Sequence, residues 1–160
     1  MHRLHVTATM RLTHAALRNM TAKNSGAVLN VASVAAFVHA PSGSSYGATK
    51  SWMTAFTEGL HLELKSAGSA VQVQALCPGY TYSEFHDPMK VDRSTLAPSW
   101  LWLQPEFVVD QSLLGRRRGK LFVIPGWQYK ALVAVASKLP SALRLALEGA
   151  RGKRPKASGQ

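Results

Sequence analysis

Two short apolar runs bracket one long helical stretch, and that order leaves few folds open to the chain. Ala27-Val-Leu-Asn-Val-Ala32 and Ala70-Val-Gln-Val-Gln-Ala-Leu76 are each too short for a typical helix. Their composition suits strands, and the near-continuous first run suits one buried on both faces. Between them, residues 44–66 carry Trp52, Met53, Phe56, Leu60 and Leu64 at helical spacing, with Ser42 or Ser44 placed to cap the start. Asn24-Ser-Gly26, Pro41-Ser-Gly43, Gly68 and Pro78-Gly79 punctuate the segments. Strand, helix, strand in about 50 residues is a βαβ unit, whose two strands run parallel.

The flanks extend this order. Residues 1–22 repeat Leu4, Ala8, Leu12, Ala15, Ala16 and Met20 at helical spacing with no Gly or Pro, which predicts a helix from the first residues. Residues 80–105 are irregular and aromatic (Tyr80, Tyr82, Phe85, Met89, Trp100, Trp102), the character of a lid or binding loop. Pro105 opens a helix to about residue 118. Lys120-Leu-Phe-Val-Ile124 reads as a third strand, and Pro125-Gly126 turns into a helix over 127–139. A second helical piece follows Pro140 to about Glu148. The expected architecture is α/β: a partial doubly wound, Rossmann-like parallel sheet with flanking helices over 1–126. An amphipathic basic helical extension over 127–150 and a disordered basic tail over 151–160 follow.

The chemistry concentrates in Ser44-Ser-Tyr-Gly-Ala-Thr-Lys50. Tyr46 and Lys50 are four apart, so on a helix they share a face. An ammonium near the phenol favours phenolate and is expected to lower the tyrosine pKa by ~1–3 units, making Tyr46 a candidate acid/base. In a parallel sheet, Ser33 after the first strand, Tyr46 and Lys50 at the head of the next helix, and Pro78, Gly79 and Ser83 after the second strand all fall at the carboxyl edge. Ligands of open α/β folds bind there. A hydroxyl, a phenol and an ammonium at one edge make a candidate carbonyl/alcohol redox site, with Ser33 on the substrate oxygen, Tyr46 transferring the proton and Lys50 holding a sugar hydroxyl.

Asn30-Val-Ala-Ser33, Tyr46-x-x-x-Lys50 thirteen residues after that serine, and Pro78-Gly79-x-Thr81-x-Ser83 together resemble the short-chain dehydrogenase/reductases. The resemblance covers residues 1 to about 126. It implies Ser33, Tyr46 and Lys50 as catalytic residues, with Tyr46 and Lys50 also on the nicotinamide ribose. It implies that Pro78, Gly79, Thr81 and Ser83 hold the nicotinamide of NAD or NADP. It places His5, ahead of the Val6-Thr7 pattern, where the family carries an asparagine that supports the lysine through water, so His5 joins the catalytic candidates. It also implies pairing into a homo-oligomer through the helices at 1–22 and 44–66. The sequence contains no Gly-x-x-x-Gly-x-Gly or Gly-x-Gly-x-x-Gly turn. The chain is therefore expected to correspond to the C-terminal part of such an enzyme, a fragment or truncated form.

Charge is unevenly placed. Residues 1–115 hold eight Lys/Arg against seven Asp/Glu, whereas residues 116–160 hold eleven against Glu148 alone. Trp127, Leu132, Val133, Val135, Leu139, Leu143, Leu145 and Leu147 interleave with Lys130, Lys138, Arg144 and Arg151. Residues 127–156 are thus a candidate contact with an anionic membrane surface. No base-stacking motif or groove-reading helix accompanies them, which argues against nucleic acid. Cys77, the single cysteine, allows no internal disulfide, fits a reducing compartment and is expected to pack as a small hydrophobe. His14, His39, His61 and His86 lack metal-ligand spacing. With no secretory leader and no apolar run long enough to span a bilayer, a cytoplasmic chain, peripheral at most to the membrane, is expected. The function expected is NAD(P)-dependent hydride transfer on a small apolar carbonyl or alcohol. The alternative is a non-catalytic remnant serving as an oligomerisation or membrane-surface module.

Overall fold

The computed structural model describes residues 1–38, 43–83, 93–140, 142, 143 and 146. A π-helical segment, Arg3–Ala8, runs directly into α1, Thr9–Ala22. Asn24, at φ 48°, and Gly26, at φ 130°, then turn the chain into β1, Ala27–Val31. A side chain on Gly26 would strike Met20 of α1, so this turn needs glycine for space as well as for backbone angle. A short 3₁₀ turn, Val34–Ala36, precedes α2, Ser44–Ser66. β2 is Gln72–Leu76, α3 is Arg93–Leu96 and a second 3₁₀ turn is Ser99–Leu101. α4, Pro105–Arg117, starts on its proline; β3 is Phe122–Val123 and α5 is Trp127–Lys138. The residue flanking α2 is Gly43, with no side-chain cap, and Ser44 is already helical. Ser42 lies outside the described residues, as do Phe85 and Met89, the tail at 151–160 and most of the stretch beyond Pro140.

The strands form one parallel sheet in the order β1-β2-β3. Ala27 pairs with Gln72, Val31 with Leu76, and Ala75 with Phe122. Helices cover both faces. On one, Leu17 and Met20 of α1 and Leu60 and Leu64 of α2 pack on Val28 and Val73. On the other, Val108 of α4 and Tyr129 of α5 pack with Leu76 and Val123. Gly115 lets α4 approach β3 closely, since a Cβ there would sit 2.3 Å from the Val123 side chain. No helix among the described residues is long and apolar enough to cross a membrane.

Two expectations change. β1 is not buried on both faces: Leu29 is 36% and Val31 53% exposed. These residues share a face with Gln74 and Leu76 of β2, and α4 covers that face only over β2 and β3. Burial on both faces is instead the property of β2. The buried face of α2 is also more polar than its aromatic stripe suggests. Trp52 and Phe56 stack on one another at 4.8 Å, half-buried, while Thr49, Lys50, Met53, Thr54 and Thr57 face inward.

That polar face is satisfied by a buried network. Asn30 Nδ2 donates to Thr57 Oγ1 (2.9 Å), Thr57 Oγ1 donates to the Met53 carbonyl (2.7 Å), and Thr13 Oγ1 donates to Asn30 Oδ1 (3.4 Å). The network ties β1 to the two helices on its covered face. Thr57→Val keeps the shape and strands the Asn30 amide. It should destabilise the fold by about 1–3 kcal/mol, read as a lower urea midpoint with unchanged slope. An unaltered midpoint would show that the network contributes nothing net.

Candidate active site

Ser33 follows β1 with an extended backbone, and its Oγ accepts from the Ala35 N–H at 3.1 Å, capping the 3₁₀ turn. The hydroxyl also reaches the Pro78 carbonyl at 3.4 Å, and Val34 N–H donates to the same carbonyl at 3.0 Å. These bonds join the tips of β1 and β2. Tyr46 stands in the first turn of α2 and is hydrogen-bonded to the Ser33 side chain. Lys50, one turn on and only 8% exposed, donates from Nζ to the Val31 carbonyl at 2.8 Å, and Nζ lies 5.6 Å from the Tyr46 ring centroid.

The electrostatics differ from the expected phenolate. Burial pushes the Tyr46 phenol above its ordinary range, and the hydrogen bond with Ser33 only partly opposes it. Burial also lowers Lys50, with the nearby Cys77 thiol opposing the shift. The ammonium donates to the Val31 carbonyl and stands over the ring, so desolvation of the phenolate dominates. Tyr46 therefore keeps its proton through neutral pH. Cys77 packs in the core with Ala32, Met53 and Ala75, and burial raises its thiol to about 12, which leaves it inert.

His5 approaches from the π-helical segment. Its Nδ1 lies 2.9 Å from Thr49 Oγ1, and its ring meets Tyr46 edge-on with centroids 5.9 Å apart. Burial, then Lys50, then the N-terminal amine all lower its pKa, so the imidazole is neutral near pH 7.

Ser33, Tyr46, Lys50, Pro78, Gly79, Thr81 and Ser83 line one cleft of about 670 Å³. His5 alone of the sequence candidates does not; it stands behind Tyr46. Val31, Val34, Val38, Val108, Val109 and Leu132 make the rest of the wall largely apolar, and Lys50 is its one charged side chain among the described residues. Thr81 Oγ1 donates to the Gly79 carbonyl at 3.2 Å and pairs as a parallel bridge with Leu103. Tyr80 and Tyr82 each lie 5.2 Å from the Trp102 ring, so part of the aromatic stretch is a packed flap with its own short helices.

Tyr129 is the residue that sequence reasoning missed. It lies on α5, in the segment set apart as an extension, yet it is 2% exposed and belongs to the core cluster around Leu76. Its hydroxyl accepts from the Tyr80 N–H at 2.9 Å and donates to the Leu101 carbonyl at 2.5 Å, pinning both limbs of the flap. Its ring fills the space a Cβ on Gly79 would take. The available signal was the spacing of Tyr129, Val133 and Ala136, the buried positions of α5.

A family profile described as short chain dehydrogenase matches residues 1–94. The chain is 31% identical over 132 residues to a very-long-chain 3-oxoacyl-CoA reductase of Bos taurus, covering 82% of this chain and 39% of that protein. Among solved structures, it superposes on a short-chain dehydrogenase from Sphingobium yanoikuyae in complex with NADPH. That match has a TM-score of 0.70 and 30% identity, over 98% of this chain and 57% of the other. A short chain dehydrogenase from Burkholderia cenocepacia in complex with NADP gives a TM-score of 0.73 at 26% identity, over 95% of this chain and 57% of the other. The chain thus spans well under two thirds of each of these relatives.

Proposed function

The chain belongs to the short-chain dehydrogenase family, and on that premise we propose that it carries the proton-transfer and nicotinamide end of an NAD(P)-dependent oxidoreductase acting on an apolar carbonyl or alcohol. The observation that carries this reading is the convergence of Ser33, Tyr46 and Lys50 on one largely apolar cleft at the tips of β1 and β2. The bovine relative is a very-long-chain 3-oxoacyl-CoA reductase, which supports a carbonyl borne on an apolar body.

The residues present fit the nicotinamide-ribose end of the cofactor. The Lys50 ammonium has three N–H donors and spends one on Val31, leaving two for ribose hydroxyls. The strand-end segment with Pro78, Gly79, Thr81 and Ser83 lies along the same cleft, where it would hold the nicotinamide ring. When bound, the nicotinamide supplies or accepts the hydride.

The rest is done by the chain. Ser33, at the cleft wall, hydrogen-bonds the substrate oxygen and orients the carbonyl. Tyr46, protonated because its phenolate is desolvated, donates its proton as that oxygen gains charge. The Lys50 cation over the ring stabilises the phenolate left behind. The apolar walls exclude water, which strengthens each of these interactions.

The test is a fluorescence titration of the chain with NADPH and NADH, in the presence of a bulky apolar ketone, followed by absorbance of the reduced nicotinamide. Saturable binding of at least one nucleotide and ketone-dependent oxidation are expected. Lys50→Met should weaken binding about tenfold or more, the loss of hydrogen bonds from a charged donor. No saturable binding of either nucleotide would refute the proposal.

A further inference from the structure

We infer that His5 is a positioning residue for Tyr46, acting through Thr49 and through its own ring edge. The inference rests on the proton-donor role proposed above for Tyr46. It assigns His5 a task unlike support of Lys50, because the bond its ring makes goes to Thr49.

The proton placements follow from the acceptors. Thr49 Oγ1 lies 2.9 Å from the Tyr46 carbonyl, and a carbonyl only accepts, so the single hydroxyl proton of Thr49 is committed there. The Thr49 oxygen is then the acceptor toward His5, 2.9 Å away, and His5 Nδ1 must carry the hydrogen. A neutral imidazole has one N–H, so Nε2 is bare. The groups that face His5 keep it neutral: its partly buried site, the Lys50 ammonium and the Met1 amine.

A relay Nδ1–H···Oγ1–H···O=C therefore runs from one helix to the backbone of Tyr46 on another. The imidazole also packs edge-on against the phenol ring, at an interplanar angle of 72°. Backbone and ring of the same residue are held from one side chain. The segment that delivers it, Arg3–Ala8, winds as a π-helix without Gly or Pro to force it. Such wide turns are rare and concentrate at functional sites. Together these contacts fix the tilt of the phenol so that its hydroxyl stays on Ser33.

The test uses the full chain with reduced nicotinamide and an apolar ketone, and nuclear magnetic resonance of labelled His5 and Tyr46. His5→Leu should lower kcat about tenfold or more, the scale of a sub-ångström to 1 Å misplacement, with KM little changed. It should also shift the Tyr46 ¹³Cζ resonance. His5→Asn, whose amide N–H can replace Nδ1–H, should restore both. At neutral pH the unsubstituted protein should show the Nδ1–H tautomer, and Thr49→Val should abolish that preference. An Nε2–H tautomer, or a Tyr46 resonance indifferent to His5→Leu, overturns the inference. The resonance readouts need no turnover. A chain with the Nδ1–H tautomer and a coupled Tyr46 signal but no nicotinamide-dependent activity would refute the proposed function and leave this assignment standing.

Discussion

Tyr46→Phe should cut carbonyl reduction by about 10²–10⁴-fold, the usual contribution of a positioned proton donor. The substitution removes one oxygen from a ring that keeps its contacts with His5 and with the Lys50 ammonium. The fold should survive, losing at most about 1 kcal/mol from the bond to Ser33. Turnover and unfolding midpoint are therefore expected to separate: the first collapses and the second hardly moves. Direction of reaction adds a second signature. Because burial raises the phenol, reduction should persist through neutral pH and fail only as pH climbs through the raised value. Alcohol oxidation needs phenolate and should gain with rising pH over the same window. A Tyr46→Phe protein that reduces ketone at the unsubstituted rate would remove Tyr46 from the mechanism.

Gly79→Ala should be strongly destabilising, because Gly79 has the tightest Cβ clash of the glycines compared among the described residues. An added Cβ would stand 2.0 Å from Tyr129 Cζ, a distance no side chain tolerates, and the opposing atoms belong to a rigid, 2% exposed ring. The ring must leave its place, and with it go the bonds to Tyr80 N–H and the Leu101 carbonyl. Overpacking costs about 1–3 kcal/mol and two lost hydrogen bonds about 1–3 more, so a loss of about 2–6 kcal/mol is expected. The pairing of the Tyr80 and Leu101 segments beside the cleft should loosen as well, seen as faster amide exchange around Tyr80 and Leu101. A double-mutant cycle decides the cause. In a Tyr129→Leu background the penalty of Gly79→Ala should largely vanish; an equal penalty in both backgrounds would place the strain elsewhere.

Both experiments touch residues of different legibility. Tyr46 stood out in the chain because its partner Lys50 is one turn away and Ser33 ends the preceding strand. Gly79 stood out as a turn and, through the family resemblance, as a nicotinamide contact, but neither reading touches its packing. Its real constraint comes from Tyr129, 50 residues on, and no local pattern reports a ring lying across a distant backbone. The same distinction explains β1. Its apolar run predicted a strand correctly, but which neighbours cover a strand is set by where α4 crosses the sheet.

Element order, parallel pairing and the gathering of Ser33, Tyr46, Lys50 and Pro78–Ser83 at one edge were written in the amino-acid sequence, because periodicity and chain punctuation are local and the sheet aligns strand ends by itself. Tertiary structure alone decided that Tyr46 holds its proton, that His5 grips Thr49 and that Tyr129 clamps the flap. Each of these depends on water removed, or on atoms supplied, by segments far along the chain, and desolvation has no signature in the spacing of residues.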